Sequence, residues 1–369
     1  MTGSICFLGL DNYPVLNPSR GHEYFGGESV QQTLLAKAFA GLGYRVSMVV
    51  KDHVQAQGET IHGIQTWKTF ADGAGIPVLR FVHPRMTSIL RALDAADADV
   101  VYQSCAGMAT GLAAWHCGRR SRKFVFRLAH DTDCIPGQQL IRFWRDRKIY
   151  EYGLRRADFI AAQGSRQVDL LRKYYALESV PINMAVEEPL ESATRRDIDV
   201  LWVNNLRAFK RPALALDLAE RLPSRRVVMI GGAVPGNERM YEDVRRRATS
   251  ISNLEFLGAV PYHEVNGYFA RSHVFINTSE HEGFPNTFLQ AWIRGVPVVS
   301  FFDPDGLIEH VGLGDVPVDL SGMCDRVDSL LSDDDARTLA AERCRAFAQA
   351  NYAPAAVARR YIELGALET

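Results

Sequence analysis

His273-Val274-Phe275-Ile276-Asn277 is followed by His281-Glu282-Gly283-Phe284-Pro285-Asn286-Thr287-Phe288-Leu289-Gln290-Ala291-Trp292, and then by Gly295-Val296-Pro297-Val298-Val299-Ser300. The first and last runs are short and continuously apolar, the pattern of strands buried on both faces of a parallel sheet. Between them the sequence predicts a helix. Pro285 suits its first position, where a missing N–H costs nothing, and Asn286 and Thr287 place free backbone donors in the first turn. Such a turn attracts anions, because unpaired amides and the positive end of the helix dipole face the same point. Gly283 lets a ligand approach the backbone there. The segment reads as strand, phosphate-gripping turn, helix, strand.

Working outward, the same alternation recurs along the chain. Apolar runs at 5–10, 46–50, 78–82, 100–103, 124–128 and 159–162 are separated by helical patterns, and a second series follows at 200–203, 227–230, 254–257, 274–277 and 296–301. Each series predicts a Rossmann-like parallel sheet covered by helices, so the expected class is α/β with two such domains. A length of 369 residues fits two domains. The polar stretch at 183–197, which includes Pro189 and Arg195-Arg196-Asp197, marks the join. Two sheets of this kind are expected to face an interdomain cleft, since ligands in open α/β folds bind at strand carboxyl ends.

Composition narrows the function. With 42 basic and 43 acidic residues the formal charge is −1, so nothing in the overall charge favours nucleic acid. Cys6, Cys105, Cys117, Cys134, Cys324 and Cys344 are scattered without a C-x-x-C pair. That spacing speaks against a zinc site or disulfide framework and for a reducing cytoplasm. The start, Met1-Thr2-Gly3-Ser4-Ile5-Cys6-Phe7, reads as a first strand and not as a signal peptide, and no apolar stretch reaches membrane-spanning length.

Candidate site residues lie where strands end. Phe25-Gly26-Gly27-Glu28-Ser29-Val30 opens a helix after the long loop 11–24. It is no G-x-G-x-x-G fingerprint, which disfavours a nicotinamide cofactor; the paired glycines fit either a diphosphate or an ordinary tight turn. His130-Asp131-Thr132-Asp133 follows the run at 124–128 and suits either sugar hydroxyls or a helix cap. After the run at 200–203 comes Asn204-Asn205-Leu206-Arg207-Ala208-Phe209-Lys210-Arg211-Pro212, whose cations fit a leaving diphosphate or a solvated loop. Gly231-Gly232 ends another run and gives a weaker signal. Finally, 139–152 interleaves basic and large apolar residues. Such a helix lies on an anionic membrane, or packs its aromatic side on the core with its arginines in water.

Together these residues resemble the retaining nucleotide-sugar glycosyltransferases of family 4, which have the GT-B fold. The most specific element is Glu282-Gly283-Phe284-Pro285-Asn286-Thr287 through Gly295-Val296-Pro297-Val298-Val299, similar to the family's Glu, seven residues, Glu signature. Gly26-Gly27, His130, Lys210 and Gly231-Gly232 fall in the family's order. The resemblance implies an acceptor-side domain over 1–186, a nucleotide-sugar-binding domain over 187–350, and a closing helix over 351–369 packed back on the first domain. It implies that Glu282 contacts donor-sugar hydroxyls, that the amides from Gly283 and Phe284 through Pro285, Asn286 and Thr287 hold the diphosphate, and that Lys210 stabilises the leaving group. His130 is then expected beside the sugar's C6 side, and Gly26, Gly27, Arg207, Gly231 and Gly232 near the donor. The implied chemistry is sugar transfer with retention, independent of metal and cofactor, from a UDP or GDP sugar to a saccharide or lipid-linked acceptor. The setting it suggests is surface polysaccharide or glycoconjugate synthesis in the cytoplasm, with peripheral contact to the inner face of the plasma membrane.

Two residues depart from that pattern. Gln290 replaces the signature's second glutamate, so it can accept from ribose hydroxyls but without charge, a loss of about 1 kcal/mol. Asn205 stands where the family has an arginine, with Arg207 two residues on. These changes keep a non-catalytic nucleotide- or partner-binding subunit in view as an alternative. An epimerase or phosphorylase of the same architecture is a further one.

Overall fold

In the computed structural model, which describes residues 3–18, 27–77, 79–189, 195–234, 236–280 and 284–368, the chain divides into two units. The first comprises Met1–Ala185 with Ala353–Thr369, the second Val186–Tyr352.

In the first unit β1 (Ser4–Leu8) is buried along its whole length, as an unbroken apolar strand covered on both faces must be. It is flanked in parallel by β2 (Arg45–Val50) on one side. A hairpin of β3 (Thr60–Ile61) and β4 (Ile64–Lys68) extends the sheet beyond β2, and it is the antiparallel pair. On the other side of β1 run β5 (Val100–Ser104), β6 (Lys123–Arg127), β7 (Phe159–Ala162) and β8 (Val180–Pro181), all parallel. The order β3-β4-β2-β1-β5-β6-β7-β8 puts the change of winding direction at β1, whose carboxyl end leads to the helix Gly27–Gly41. Apolar clusters cover both faces of the sheet. Pro354–Glu363 belongs to one of them: its Tyr361 packs edge-on against Phe39 and Tyr102 and accepts a hydrogen bond from Arg127 Nη1 at 3.0 Å.

Two sequence expectations fail in this unit. The run at 78–82 is not a strand. Leu79–Phe81 forms a 3₁₀ turn and Val82–Met86 a wide helical turn, with Leu79 and Val82 exposed. The prolines at 77 and 84 have no amide to give a ladder, so hydrophobicity here does not report a sheet. The place beside β2 belongs to β4, whose Gln65, Thr66 and Lys68 gave no apolar signal. Within the expected loop at 11–24, Tyr13–Leu16 makes a helical turn that buries Tyr13 and Leu16.

The second unit repeats the plan with six strands. Its first strand, β9 (Ile198–Val203), lies between β10 (Val227–Ile230) and β12 (Ser272–Asn277). β11 (Leu254–Gly258) closes one edge, and β13 (Val298–Ser300) with the short β14 (Gly314–Asp315) closes the other. The order is β11-β10-β9-β12-β13-β14, all parallel, so the switch of direction falls at β9. The helix between β12 and β13 is Asn286–Ile293, one residue later than expected: Pro285 caps it in an extended conformation (φ −71°, ψ 123°). A proline has no N–H to contribute, and its carbonyl accepts from Phe288 N at 3.1 Å, so it serves as the residue just outside the first turn.

Candidate functional site at the strand carboxyl ends

In the second unit the loops after β9, β10 and β12 are tied to one another. Leu206 N donates to the Gly232 carbonyl at 3.1 Å, and Gly231 N to the Gly258 carbonyl at 2.8 Å. A Cβ on Gly231 would stand 2.4 Å from the Asn204 carbonyl oxygen, so glycine is required there for two backbones to meet. Gly232 is less confined, with Ala259 Cβ at 3.2 Å from the corresponding position. On the other side, Thr278 Oγ1 donates to the Lys210 carbonyl at 2.7 Å and Glu280 N to the Phe209 carbonyl at 2.9 Å. Trp202, fully buried in β9, donates its indole N–H to the same Thr278 hydroxyl at 2.9 Å. The 3₁₀ turn Ala208–Lys210 is therefore clamped to the segment that leads into residues 281–285.

The three cations of this loop differ. Arg211 is a staple: its Nε donates to the Thr278 carbonyl at 2.7 Å, its guanidinium lies 4.9 Å from the Phe301 ring centre, and its backbone is left-handed (φ 47°). That conformation costs an arginine about 1–2 kcal/mol, and the surrounding bonds hold it in place. Arg207 is exposed, and Lys210 is partly exposed with its Nζ 5.1 Å from the Phe209 ring centre.

Downstream, Phe284 folds onto an aromatic cluster, 6.3 Å from Trp292 and 5.7 Å from Tyr352 between ring centres. Its side chain anchors the turn, which leaves the backbone to present the first-turn amides of Asn286 and Thr287. No earlier helical carbonyl can accept from those amides. Gln290 is buried, its Nε2 donating to Asn266 Oδ1 at 3.1 Å, while Asn266 Nδ2 donates to Glu187 Oε2 at 2.9 Å. The amide nitrogen of Gln290 is thus engaged within the unit, and its oxygen is the end that matches a hydroxyl donor.

In the first unit, His130 follows β6 and is exposed. The turn Asp131–Cys134 begins after it, and the Asp133 carboxylate accepts from Ala129 N at 3.1 Å and His130 N at 3.0 Å. Burial raises the Asp133 carboxyl above the usual carboxylate range despite these two amides. Gly27 is the first residue of its helix and is exposed. Gly26, Glu282 and Gly283 lie outside the described residues.

With the geometry of both units in place, residues 197–345 match the family model described as Glycosyl transferases group 1. The match covers most of the second unit. A curated relative, the 2-deoxystreptamine N-acetyl-D-glucosaminyltransferase of Niallia circulans, is 26% identical over 127 residues, which span 33% of this chain and 32% of that protein. Among solved structures, a sucrose-phosphate synthase from Thermosynechococcus elongatus superposes with a TM-score of 0.70 at 17% identity, covering 98% of both chains. HepE from Anabaena, determined in complex with UDP and glucose, gives 0.69 at 16% identity, covering 99% of both. At these identities the structural likeness speaks for the fold, which is GT-B.

Within the matched region, sequence reading passed over Thr278, which joins the Lys210 loop to β12; the polar triplet Asn277-Thr278-Ser279 at the end of an apolar strand was the available signal. In the first unit it passed over a charged cluster. Arg127, the cation inside the apolar run at 124–128, is buried and bonds to Tyr361 and, at 3.2 Å, to the Ile182 carbonyl. Glu28 sits nearby with Oε1 sealed from water and without a hydrogen-bond partner. Burial raises its carboxyl above the usual range, opposed by the Arg127 charge and a hydrogen bond with Ser104.

Proposed function

We propose that the chain is a retaining glycosyltransferase of family 4 that moves a sugar from a UDP or GDP sugar to a saccharide or lipid-linked acceptor. The observation that carries this reading is the clamp between the Ala208–Lys210 turn and Thr278–Glu280, which holds a lysine beside the segment entering an amide-bearing helix start. A cation held at this strand end, ahead of a helix whose first amides have no helical acceptor, suits a leaving diphosphate, whose charge grows as the glycosidic bond breaks. In this reading Lys210, with Arg207, stabilises that charge. The first-turn amides of Asn286 and Thr287 hold the phosphates, Glu282 orients donor-sugar hydroxyls, and His130 attends the sugar's C6 side. The reaction then needs positioning and charge stabilisation and no protein nucleophile. The site as assigned calls on no metal or cofactor, and the protein works in the cytoplasm.

Support for the donor comes from the group 1 match and from neighbours solved with UDP. The test is calorimetric binding of UDP, GDP and ADP to the full chain, followed by transfer assays with the matching sugar nucleotides. One nucleoside diphosphate should bind, Lys210→Ala should weaken it, and transfer should retain the anomeric configuration. Absence of binding across the set would overturn the reading. A second reading, a nucleotide-binding subunit without turnover, is favoured by the uncharged Gln290 network with Asn266 and Glu187. Binding without transfer by the parent chain would select it.

A further inference from the structure

The first unit carries an open apolar groove of about 580 Å³, lined chiefly by Phe81, Met86, Leu112, Trp115, Trp144 and Ile149. It lies between the helices Met108–Arg120 and Trp144–Leu154 and the turn at 79–86. Next to it large apolar side chains stand out into water: Leu140 and Trp144 are each 76% exposed, Leu79 62% and Phe143 53%. Scattered exposed leucines are ordinary, but a contiguous apolar patch beside an apolar groove marks a contact surface.

The charge around this patch says what covers it. Between residues 139 and 156 six cations stand against the two carboxylates of Asp146 and Glu151, in a chain whose net charge is −1. Several of the local cations lie over aromatic faces. Arg145 is 3.5 Å from the Phe81 ring centre, Arg156 4.0 Å from Tyr152, Arg119 4.6 Å from Trp115 and Arg142 5.3 Å from Phe143. A guanidinium stacked on a ring keeps its N–H edge toward phosphate oxygens, as suits Arg119 and Arg142, whereas Arg145 turns its edge to Asp146 Oδ1 at 2.8 Å. Protruding apolar side chains ringed by such cations match the boundary of an anionic bilayer, where acyl chains meet phosphates. A second copy of this chain would instead bring cations against cations.

We propose that this face docks on an anionic phospholipid bilayer, with Leu140, Phe143 and Trp144 inserted among acyl chains and Arg119, Arg142 and Lys148 on the headgroup phosphates. Contact is peripheral: among the described residues no helix is long and apolar enough to cross a membrane. The surface adds the 79–86 turn and the Trp115 face to the basic aromatic stretch at 139–152, and it stands whether or not the chain transfers sugar.

The experiment is flotation of the full chain with vesicles of phosphatidylcholine alone or mixed with phosphatidylglycerol, with Trp144→Ala/Phe143→Ala and Arg142→Ala/Lys148→Ala variants in parallel. The parent should float with the anionic vesicles and roughly tenfold less with the neutral ones, and added salt should release it. The aromatic double variant should lose roughly tenfold in partitioning, and the basic one should lose the preference for anionic lipid. Unchanged thermal melting of both variants shows that the fold is intact. Four outcomes would overturn the proposal: no flotation of the parent, equal binding to both vesicles, flotation of the aromatic variant like the parent, or a parent dimer that the aromatic variant dissolves. So would retention on RNA in place of vesicles.

Discussion

At the carboxyl ends of β1, β5 and β6 the first unit buries its charges: Arg127 bonds to Tyr361 with Glu28 and Ser104 nearby, and Asp133 accepts from the Ala129 and His130 amides. At the ends of β9, β10 and β12 the second unit buries backbone clamps instead and leaves Arg207 and Lys210 toward water. The same sheet architecture therefore carries charge in two ways. Buried charge must be compensated internally and so contributes rigidity and a large penalty when broken, whereas a cation on a stapled loop that reaches solvent can be met by a ligand. The contrast teaches that, at these two sheet ends, the groups sealed from water are not those placed to meet an anion.

The contrast can be broken by substitution. Arg127→Met should have the largest effect on stability, about 3–5 kcal/mol in urea unfolding, because it strands Glu28 and the Ile182 carbonyl without their cation. Lys210→Ala should do the reverse. Its unfolding free energy should stay within about 0.5 kcal/mol of the parent while kcat for transfer drops by about 100-fold or more, and equal activity would remove the lysine from the site. Gly231→Ala should cost about 1–3 kcal/mol by pressing a methyl on the Asn204 carbonyl, read as a lower urea midpoint. The smallest effect is a pH dependence. Glu28 has a raised carboxyl pKa, so the unfolded chain ionises first and the parent loses stability as pH climbs through and above the carboxylate range. Glu28→Gln lacks that loss, and the stability difference between variant and parent should shift in the variant's favour as pH rises from acid to neutral. A pH-independent difference would show that the carboxyl titrates alike in the folded and the unfolded chain.

Much of the fold was legible because parallel strands buried on both faces spell themselves out as apolar runs, as at 46–50, 124–128 and 274–277. Where a strand is half-exposed, as at Ile64–Lys68, or very short, as at Val180–Pro181 and Gly314–Asp315, no run appears. The apolar stretch at 78–82 misled for the opposite reason: its residues are hydrophobic toward an open surface and not toward a sheet. The candidate site was readable where residue type and backbone geometry coincide, as at Pro285-Asn286-Thr287. Its supports were not, since Thr278, Asn266 and Glu187 act through partners distant in sequence.

The helix Pro354–Glu363 follows the whole second unit in the chain, yet it belongs to the unit that holds β1. During synthesis the N-terminal sheet must wait through the whole of the second unit before Tyr361 arrives to receive the Arg127 hydrogen bond and cover Phe39. The second unit is contiguous in sequence and can close on its own as it emerges. Order of translation and order of completion are thus reversed, and a chain stalled short of residue 354 would present a finished second unit attached to an unsealed first one.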